Sequence, residues 1–425
     1  MKITITCSSM TVSRGGAERV AAWLANSLVG LGHELVIYAR DEQRGQPVYP
    51  LDKRVALKFY SALVFPEEKR LLREELLLEK PDVHVVFYWD DEPGHWLGAL
   101  DGTGIPLVLS ERNSPSFLEE RSWTRLGRLT ALAGADIIHL LFARSLGSLP
   151  ENLHERVTII GNPVVSVQAP AHKKKSGKRG TIMCASRLKS YKQQVLLVDA
   201  FCLLHEQFPD WRLEIWGKGG EKKILEKKIS EHKLEDKILL CGFTQEIEDR
   251  YPEADIYCIP SRYEGFPNVL LEALSRGLPC VGFARCPGVN SLIRDGYNGC
   301  LAPEMTAQSL AEKLSLLMGD AELRDRMSEN AVASVREYAE GAVLDKWVAM
   351  LQGAAGISPT SLQRIKSAVP DYESHLAALL EDADFVSARR VKKALREAPS
   401  FRRRCSRSIR RALHAVTGLF SGDKP

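Results

Sequence analysis

Two glutamates eight positions apart, Glu264 and Glu272, follow an apolar run at 255–260 that is typical of a buried strand. An open parallel α/β sheet binds its ligands at the carboxyl ends of its strands, so Glu264 is expected beside a ligand. Glu272 lies about two helical turns further on and on nearly the same face of a helix. Such a pair can hold two parts of one elongated ligand rich in hydroxyl groups, while the free N–H groups of the helix N-terminus can bind an anion. The combination favours a nucleotide sugar as the ligand.

The burial of Glu272 can be predicted from its neighbours. Four of them are apolar, namely Leu270, Leu271, Ala273 and Leu274. A carboxylate among apolar side chains is stable when it is paired, so a buried carboxylate that binds a ligand is favoured over an exposed helix position.

Two further patterns could bind the phosphates of such a ligand. Arg187 and Lys192 flank the loop after a predicted strand at 180–186, where two cations can hold a diphosphate and neutralise its charge as it leaves. Gly15 and Gly16 follow the first predicted strand and open a helix, where the backbone can approach a ligand and offer N–H groups. The alternatives are a charged surface turn and an ordinary strand–helix turn.

The elements that position these residues alternate along the chain, which is typical of parallel α/β layers. Twelve strands are predicted, near 2–7, 34–40, 82–88, 105–111, 136–142, 157–161, 180–186, 211–216, 237–241, 255–260, 279–284 and 299–302. The polar, basic stretch 166–179 is interpreted as a linker. We therefore expect two Rossmann-like domains, 1–165 and 180–338, that face a central cleft. A closing helix at 339–356 can return to the N-terminal domain.

The composition indicates a globular cytosolic protein. A chain of 425 residues is too long for one ordinary hydrophobic core, and this length suits about two domains with an appendage. No apolar run approaches the ~18 residues of a membrane span, and the first residues enter a strand instead of a signal peptide. The nine cysteines are odd in number and include no Cys-x-x-Cys pair, which predicts reduced core cysteines and no zinc site.

Basic charge is concentrated in the C-terminal tail, 357–425, which is expected to be helical. Twelve basic and two acidic residues give positions 389–425 a charge of +10, which leaves −6 for the rest of a chain of net charge +4. Apolar residues recur at helical spacing within 401–420, namely Phe401, Cys405, Ile409, Ala412, Leu413, Val416 and Phe420. With arginines between them, this pattern is typical of an amphipathic helix that binds an anionic membrane surface. Docking on the protein's own body is the alternative, and nucleic acid is not the expected partner.

Three of these features together resemble the retaining glycosyltransferases of family 4, which have the two-domain GT-B fold. They are the Glu-x7-Glu pattern after a strand, the Gly-Gly loop near the N-terminus and the basic pair that opens the second domain. The resemblance covers about residues 1–350 and is closest over 254–280. It implies that 1–165 binds the acceptor and that 180–338 binds a nucleotide-sugar donor. The family usually has Lys-Gly where this chain has Lys192-Gln193.

The resemblance also implies roles for individual residues of the second domain. Glu264 would bind hydroxyls of the transferred sugar, and Glu272 would accept from the ribose. Arg187 and Lys192 would hold the diphosphate, and together with Glu264 they are the predicted catalytic residues. The other donor-binding residues would contribute backbone groups or cleft surface, namely Gly217, Phe243, Gly265, Phe266, Pro267 and Asn268. Pro267 has no N–H and would shape the turn.

In the first domain, the resemblance implies that Gly15 and Gly16 touch the donor phosphate and the acceptor. A Ser-Glu-Arg-Asn turn ends a predicted strand and looks like a turn of bacterial surface-polysaccharide transferases. There Glu111 could position an acceptor hydroxyl and Arg112 could meet phosphate or acceptor, with a structural salt bridge as the alternative. An Asp-x-Asp at 382–384 lies in the polar tail and is interpreted as solvated surface. Neither a metal ion nor another cofactor is expected.

The sequence is therefore interpreted as a retaining glycosyltransferase. It would move a sugar from UDP-hexose or UDP-N-acetylhexosamine to a saccharide or lipid-linked acceptor in bacterial lipopolysaccharide, capsule or exopolysaccharide synthesis. Two alternatives remain open: an enzyme like UDP-N-acetylglucosamine 2-epimerase, which shares the fold, and a non-catalytic protein that binds nucleotide sugars. The expected location is the cytoplasm, with peripheral contact on the cytoplasmic face of the inner membrane.

Overall fold

A computed structural model describes the chain over residues 1–12, 14–41, 45–60, 65–88, 99–100, 102–115, 117, 128–129, 131–164 and 180–357. The predicted linker 166–179 and the amphipathic segment 401–420 lie outside these residues. Within them, no helix combines the length and the apolar character needed to cross a membrane. The cysteines of the same residues form no disulfide.

Seven parallel strands form the first sheet, namely β1 Lys2–Cys7, β2 Glu34–Ala39, β3 Ala56–Phe59, β4 Val83–Tyr88, β5 Leu107–Glu111, β6 Ile137–Leu140 and β7 Val157–Ile159. Their order, β3-β2-β1-β4-β5-β6-β7, extends that of a doubly wound nucleotide-binding sheet. Six of these strands lie where the sequence predicted strands. The sequence missed β3 because this four-residue edge strand is exposed or half-buried throughout and has no continuous apolar run.

Six parallel strands form the second sheet, namely β8 Gly180–Ala185, β9 Trp211–Trp216, β10 Ile238–Gly242, β11 Ile256–Ile259, β12 Cys280–Phe283 and β13 Gly299–Ala302. Their order, β10-β9-β8-β11-β12-β13, repeats the doubly wound arrangement. All six were predicted, because a parallel sheet covered on both faces needs apolar strands that stand out in a sequence. The two-sheet architecture is confirmed.

Helices connect the strands, namely α1 Gly16–Gly30, α2 Phe65–Glu79, α3 Gln194–Leu204, α4 Lys222–Glu231, α5 Asn268–Ser275, α6 Pro287–Asn290, α7 Ala307–Gly319, α8 Ala321–Ser334 and α9 Glu340–Ala355. Side chains set two of the boundaries: Thr306 accepts from Ser309 N at the start of α7, and Asp320 accepts from Leu323 N at the start of α8. Helix α8 ends at Ser334 and is followed by a 3₁₀ turn over 336–338.

The last helix, α9, packs on the first sheet although it follows the second sheet in the chain. Val343, Trp347 and Leu351 are buried in the same core as the inner residues of α1, β1 and β2. The chain passes between the sheets at two neighbouring points, since Val164 N donates to the Tyr338 carbonyl at 2.8 Å. The first sheet is thus covered by a helix from each end of the described chain.

Two buried histidines are expected to make the fold sensitive to acid. The Thr4 and Thr6 hydroxyls lie 2.7 and 3.0 Å from the ring nitrogens of His84, and His139 Nε2 donates to the Ile160 carbonyl at 2.8 Å. Burial lowers the pKa of each histidine to about 3. Between pH 6.5 and 3 the unfolded chain therefore binds more protons than the folded chain, so the free energy of unfolding falls as the pH drops, by ~1.4 kcal/mol per pH unit for each group.

Urea unfolding at several pH values between 7 and 4 tests this expectation. The measured quantity is the slope of the unfolding free energy against pH, which His84→Gln should reduce even if that variant is less stable at pH 7. An unchanged slope would show that His84 is not the neutral buried group inferred from its surroundings.

Candidate functional site

Glu264 lies in a nearly buried ion pair that follows β11. Lys192 Nζ donates to its Oε1 at 2.6 Å, and Ser261 Oγ donates to the same oxygen at 2.7 Å. The Lys192 and Glu264 side chains are only 11% and 8% exposed. Among the described residues no donor reaches the other oxygen, Oε2, which can therefore accept from a ligand hydroxyl. The structure thus brings together two predicted residues that are 72 positions apart in the chain.

Arg187 lies on the same loop as Lys192, directly after β8. Its Nη2 donates to the Tyr191 hydroxyl at 3.3 Å, and Lys192 Nζ is 5.5 Å from the centre of the Tyr191 ring. Arg187 is exposed and has no carboxylate partner in the described part of the chain. Most of its donors are therefore free to bind an anionic ligand.

Glu272 is buried on α5, as its apolar neighbours predicted. The hydroxyl of the buried Tyr251 donates to its Oε2 at 2.8 Å, and Arg19 on α1 forms an ion pair with its Oε1. Burial and the neighbouring Glu272 carboxylate raise the pKa of Tyr251 well above its usual value, so this hydroxyl stays protonated. The side chain that the sequence assigned to a ribose thus contacts both domains.

The turn 265–268 packs against the first domain. A Cβ at Gly265 would lie 2.5 Å from the carbonyl oxygen of Arg112, so only glycine fits this contact. The Phe266 ring stacks on that of Phe142 with centroids 4.6 Å apart and planes 8° from parallel. The Phe266 side chain is therefore used for the contact between the domains, and Phe266 can offer only its backbone groups to a donor.

The first turns of α1 and α5 meet at the same boundary. Asn268, which opens α5 after Pro267, accepts from Asn162 Nδ2 of the first domain at 2.7 Å. A Cβ at Gly16 would lie 2.9 Å from the side-chain Nδ2 of Asn268, and Gly15 is the N-cap of α1 with extended backbone. The start of α1 thus packs against the residue that opens α5, and each helix N-terminus offers N–H groups that suit an anion.

Glu111 forms a salt bridge inside the first domain. Arg128 Nε and Nη2 donate to its two carboxylate oxygens at 2.5 and 3.0 Å, and both side chains are almost fully buried. This is the structural salt bridge that the sequence left as the alternative. A bidentate buried pair keeps both oxygens occupied, so contact of Glu111 with an acceptor stays a prediction that this geometry does not favour.

Arg112 is also buried, but it has no carboxylate partner among the described residues. Its guanidinium lies 4.0 Å from the centre of the Phe87 ring, and its Nη1 donates to Asn162 Oδ1 at 2.6 Å. In the same residues its Nε and Nη2 have no hydrogen-bond partner, and burial lowers its pKa to about 9. An unpaired buried cation is unfavourable, so an anionic group of a ligand would suit it.

Gly217 and Phe243 lie next to each other at the ends of β9 and β10. Gly217 N donates to the Gly242 carbonyl at 2.7 Å, and a side chain at Gly217 would clash with the Ser186 carbonyl. The Phe243 ring is 48% exposed, with Lys218 Nζ 4.7 Å from its centre. An exposed aromatic ring at this position can stack on a nucleotide base.

The structure adds residues that the sequence did not single out. Arg19 and Tyr251 both contact Glu272, from 253 and 21 positions away in the chain, and no local pattern links such distant residues. The one available signal was the position of Arg19 in the first turn after the Gly-Gly loop. Within the described parts of the chain, no group of three or more His, Cys, Asp or Glu side chains is arranged to hold a metal ion.

Gln193→Gly is expected to stabilise the loop that carries Lys192. Gln193 is left-handed, with φ +52° and ψ +33°, where a side chain is strained by ~1–2 kcal/mol and glycine is not. The greater freedom of glycine in the unfolded chain offsets part of this, which leaves a gain of about 0.5–1 kcal/mol. Thermal unfolding measures the change, with Gln193→Ala as the control that keeps the strain. Equal stability of the two variants would contradict the strain argument.

Two family models match the chain, one on each sheet. The model described as Glycosyltransferase Family 4 matches residues 14–164, and the model described as Glycosyl transferases group 1 matches residues 168–333. Together they span most of the chain that the two sheets and their helices occupy.

Individual known proteins are similar along most of the chain. An uncharacterized glycosyltransferase of Haemophilus influenzae is 27% identical over 347 residues, which are 80% of this chain and 97% of that protein. The GalNAc-alpha-(1->4)-GalNAc-alpha-(1->3)-diNAcBac-PP-undecaprenol alpha-1,4-N-acetyl-D-galactosaminyltransferase of Campylobacter jejuni is 24% identical over 370 residues, which are 83% of this chain and 98% of that protein.

A solved structure shares the fold. The crystal structure of Anabaena Alr3699/HepE in complex with UDP and glucose superposes with a TM-score of 0.68 at 20% identity, and the match covers 83% of this chain and 99% of that chain. The family matches and this architecture agree with the two doubly wound sheets. The chain therefore belongs to the glycosyltransferases of the GT-B fold, with a family 4 domain followed by a group 1 domain.

Proposed function

We propose that this glycosyltransferase transfers a hexose or N-acetylhexosamine from a UDP-sugar, with retention of configuration, to a saccharide or lipid-linked acceptor. The product would belong to bacterial lipopolysaccharide, capsule or exopolysaccharide. The observation that carries the proposal is the Glu264 carboxylate, which is paired with Lys192 through one oxygen and can accept ligand hydroxyls through the other. The name of the Campylobacter jejuni relative describes an undecaprenol-linked acceptor, and the Anabaena structure contains UDP and glucose.

The donor would lie along the second domain. Its base would stack near Phe243, its ribose would donate to Glu272, and its sugar hydroxyls would donate to Glu264. Arg187 and Lys192 would hold the diphosphate, assisted by N–H groups at the starts of α1 and α5. This order follows the carboxyl ends of β10, β9, β8 and β11, which are successive strands of the second sheet.

The acceptor hydroxyl would attack C1 of the sugar on the face from which the diphosphate leaves. The bond between C1 and the phosphate oxygen breaks, a bond between C1 and the acceptor oxygen forms, and the acceptor proton passes to an oxygen of the leaving diphosphate. Lys192 and Arg187 would stabilise the charge that develops there. This route requires neither a protein nucleophile nor a metal ion. Closure of the domains would exclude water and favour transfer over hydrolysis.

Product analysis tests the proposal. A melting-temperature screen with UDP, GDP and ADP sugars first selects the donor, because a ligand that binds the native state raises its melting point. The selected donor is then supplied with saccharide and polyprenyl-diphosphate acceptors, and the anomeric coupling of the product is measured by NMR. An α-linked product is expected from an α-configured donor. A β-linked product would exclude retention, and conversion of UDP-N-acetylglucosamine without an acceptor would favour the epimerase alternative.

We also propose that the tail places the enzyme on the cytoplasmic face of the inner membrane. Positions 389–425 carry +10, and each basic residue near an anionic surface contributes about 1 kcal/mol of attraction. The full chain should therefore float with vesicles of anionic phospholipid at low salt, and a chain that ends at Gly356 should not. Neutral vesicles are the control. Equal flotation of both chains would show that the tail is not what binds the membrane.

A further inference from the structure

Arg19 connects the two domains through the carboxylate of Glu272. It lies in the first turn of α1, and its Nη1 donates to Glu272 Oε1 on α5. Its Nη2 donates to Glu248 Oε1, also in the second domain, at 3.0 Å. The guanidinium is thus held at both ends by the domain that it does not belong to.

The other oxygen of Glu272 is held from within its own domain. Tyr251, whose side chain is fully buried, donates to Oε2 at 2.8 Å. A carboxylate can accept about four hydrogen bonds, two on each oxygen. Arg19 and Tyr251 therefore take one site on each oxygen, and one site on each oxygen is left. Two such sites match a pair of neighbouring hydroxyl groups, which is what a ribose presents.

We propose that Arg19 is a positioning residue for the donor: it orients Glu272 so that the two remaining sites accept the 2′ and 3′ hydroxyls of the ribose. This inference rests on the proposed function, in which Glu272 binds that ribose. Arg19 acts from the first domain, so Glu272 is oriented in this way only when the two domains are in contact. Recognition of the ribose is thereby coupled to closure of the enzyme.

The coupling has a thermodynamic consequence. A ligand shifts an equilibrium between open and closed forms only through its different affinity for the two forms. If Arg19 aligns Glu272 in the closed form, the ribose hydroxyls favour closure, and closure strengthens their binding by the same factor. Loss of Arg19 should therefore weaken the binding of nucleotides that carry both hydroxyls. The binding of nucleotides without them should be nearly unaffected.

Calorimetric binding of UDP, 2′-deoxy-UDP and 2′,3′-dideoxy-UDP to the full chain tests the proposal. Hydrogen bonds to a charged acceptor are strong, so the wild-type chain should bind UDP about 100-fold more tightly than 2′,3′-dideoxy-UDP. In Arg19→Gln this preference should fall to about 10-fold or less, with the affinity for 2′,3′-dideoxy-UDP within about 2-fold of wild type. Arg70→Gln is the control, since Arg70 is an exposed arginine on α2 that pairs with Glu67 and Glu74.

The outcomes separate this inference from the proposed function. If Arg19→Gln keeps the wild-type preference for UDP over 2′,3′-dideoxy-UDP, or weakens the binding of all three nucleotides equally, Arg19 does not position Glu272. Either result overturns the inference. Glu272→Gln should lose the preference whether or not Arg19 takes part. If Glu272→Gln keeps it, the ribose is bound elsewhere and the assignment of Glu272 in the proposed function fails. No binding of UDP to the wild-type chain would overturn both.

Discussion

Glu264→Gln is expected to reduce turnover by about 10²- to 10³-fold, the loss typical of one electrostatic contact to a transition state. Glutamine keeps the size of the side chain, and its carbonyl can still accept from Ser261. It loses the negative charge that holds Lys192 Nζ at 2.6 Å. It also loses the stabilisation of positive charge that develops on the sugar ring as the diphosphate departs. The effect should therefore appear mainly in kcat.

The folding of this variant needs its own measurement. Removing one partner of a nearly buried ion pair leaves Lys192 uncompensated, so the melting temperature should fall, and activity must be compared below it. Glu304→Gln is the matched control, because Glu304 is an exposed glutamate that pairs with the exposed Arg285 at 2.7 Å. A folded Glu264→Gln enzyme with more than half of the wild-type turnover would show that Glu264 does not contact the transferred sugar.

Lys192→Gln should lower kcat by about 10²-fold or more, a larger loss than the roughly 10-fold expected for Arg187→Gln. One of the three Lys192 donors is used by Glu264, which fixes the ammonium and leaves two donors for the diphosphate. Arg187 is exposed and is held by one 3.3 Å bond to the Tyr191 hydroxyl, so more of its freedom is lost when it binds a ligand.

Kinetics with the donor and inhibition by free UDP measure both effects. Lys192→Gln should weaken inhibition by UDP as well as turnover, because the same charge binds the product diphosphate. Lys192→Arg should restore only part of the activity, since a planar guanidinium cannot occupy the position of a compact ammonium. Lys227→Gln, an exposed lysine on α4, is the control. If Arg187→Gln had the larger effect, the ion pair with Glu264 would not be what positions the catalytic cation.

The fold followed largely from local pattern. Strands such as β1 and β11 are short apolar runs, since both faces of a parallel sheet are covered, and each is visible without its neighbours. Strand β3 was not predicted, because an edge strand is only partly covered and Ala56–Phe59 therefore lacks a continuous apolar run. The left-handed backbone at Gln193 was not predicted either, because glycine is the residue type that usually indicates such a conformation.

The sequence by itself determined where the candidate site was predicted. Glu264 and Lys192 each follow a strand, and the carboxyl ends of neighbouring parallel strands meet at one edge whatever lies between them in the chain. Only the tertiary structure decided the partners, pairing Glu111 with Arg128 and Glu272 with Arg19. The physical reason is that an ion pair depends on distance in space. Across two packed domains that distance is set by how the two surfaces fit together. Local periodicity of the sequence contains no information about that fit.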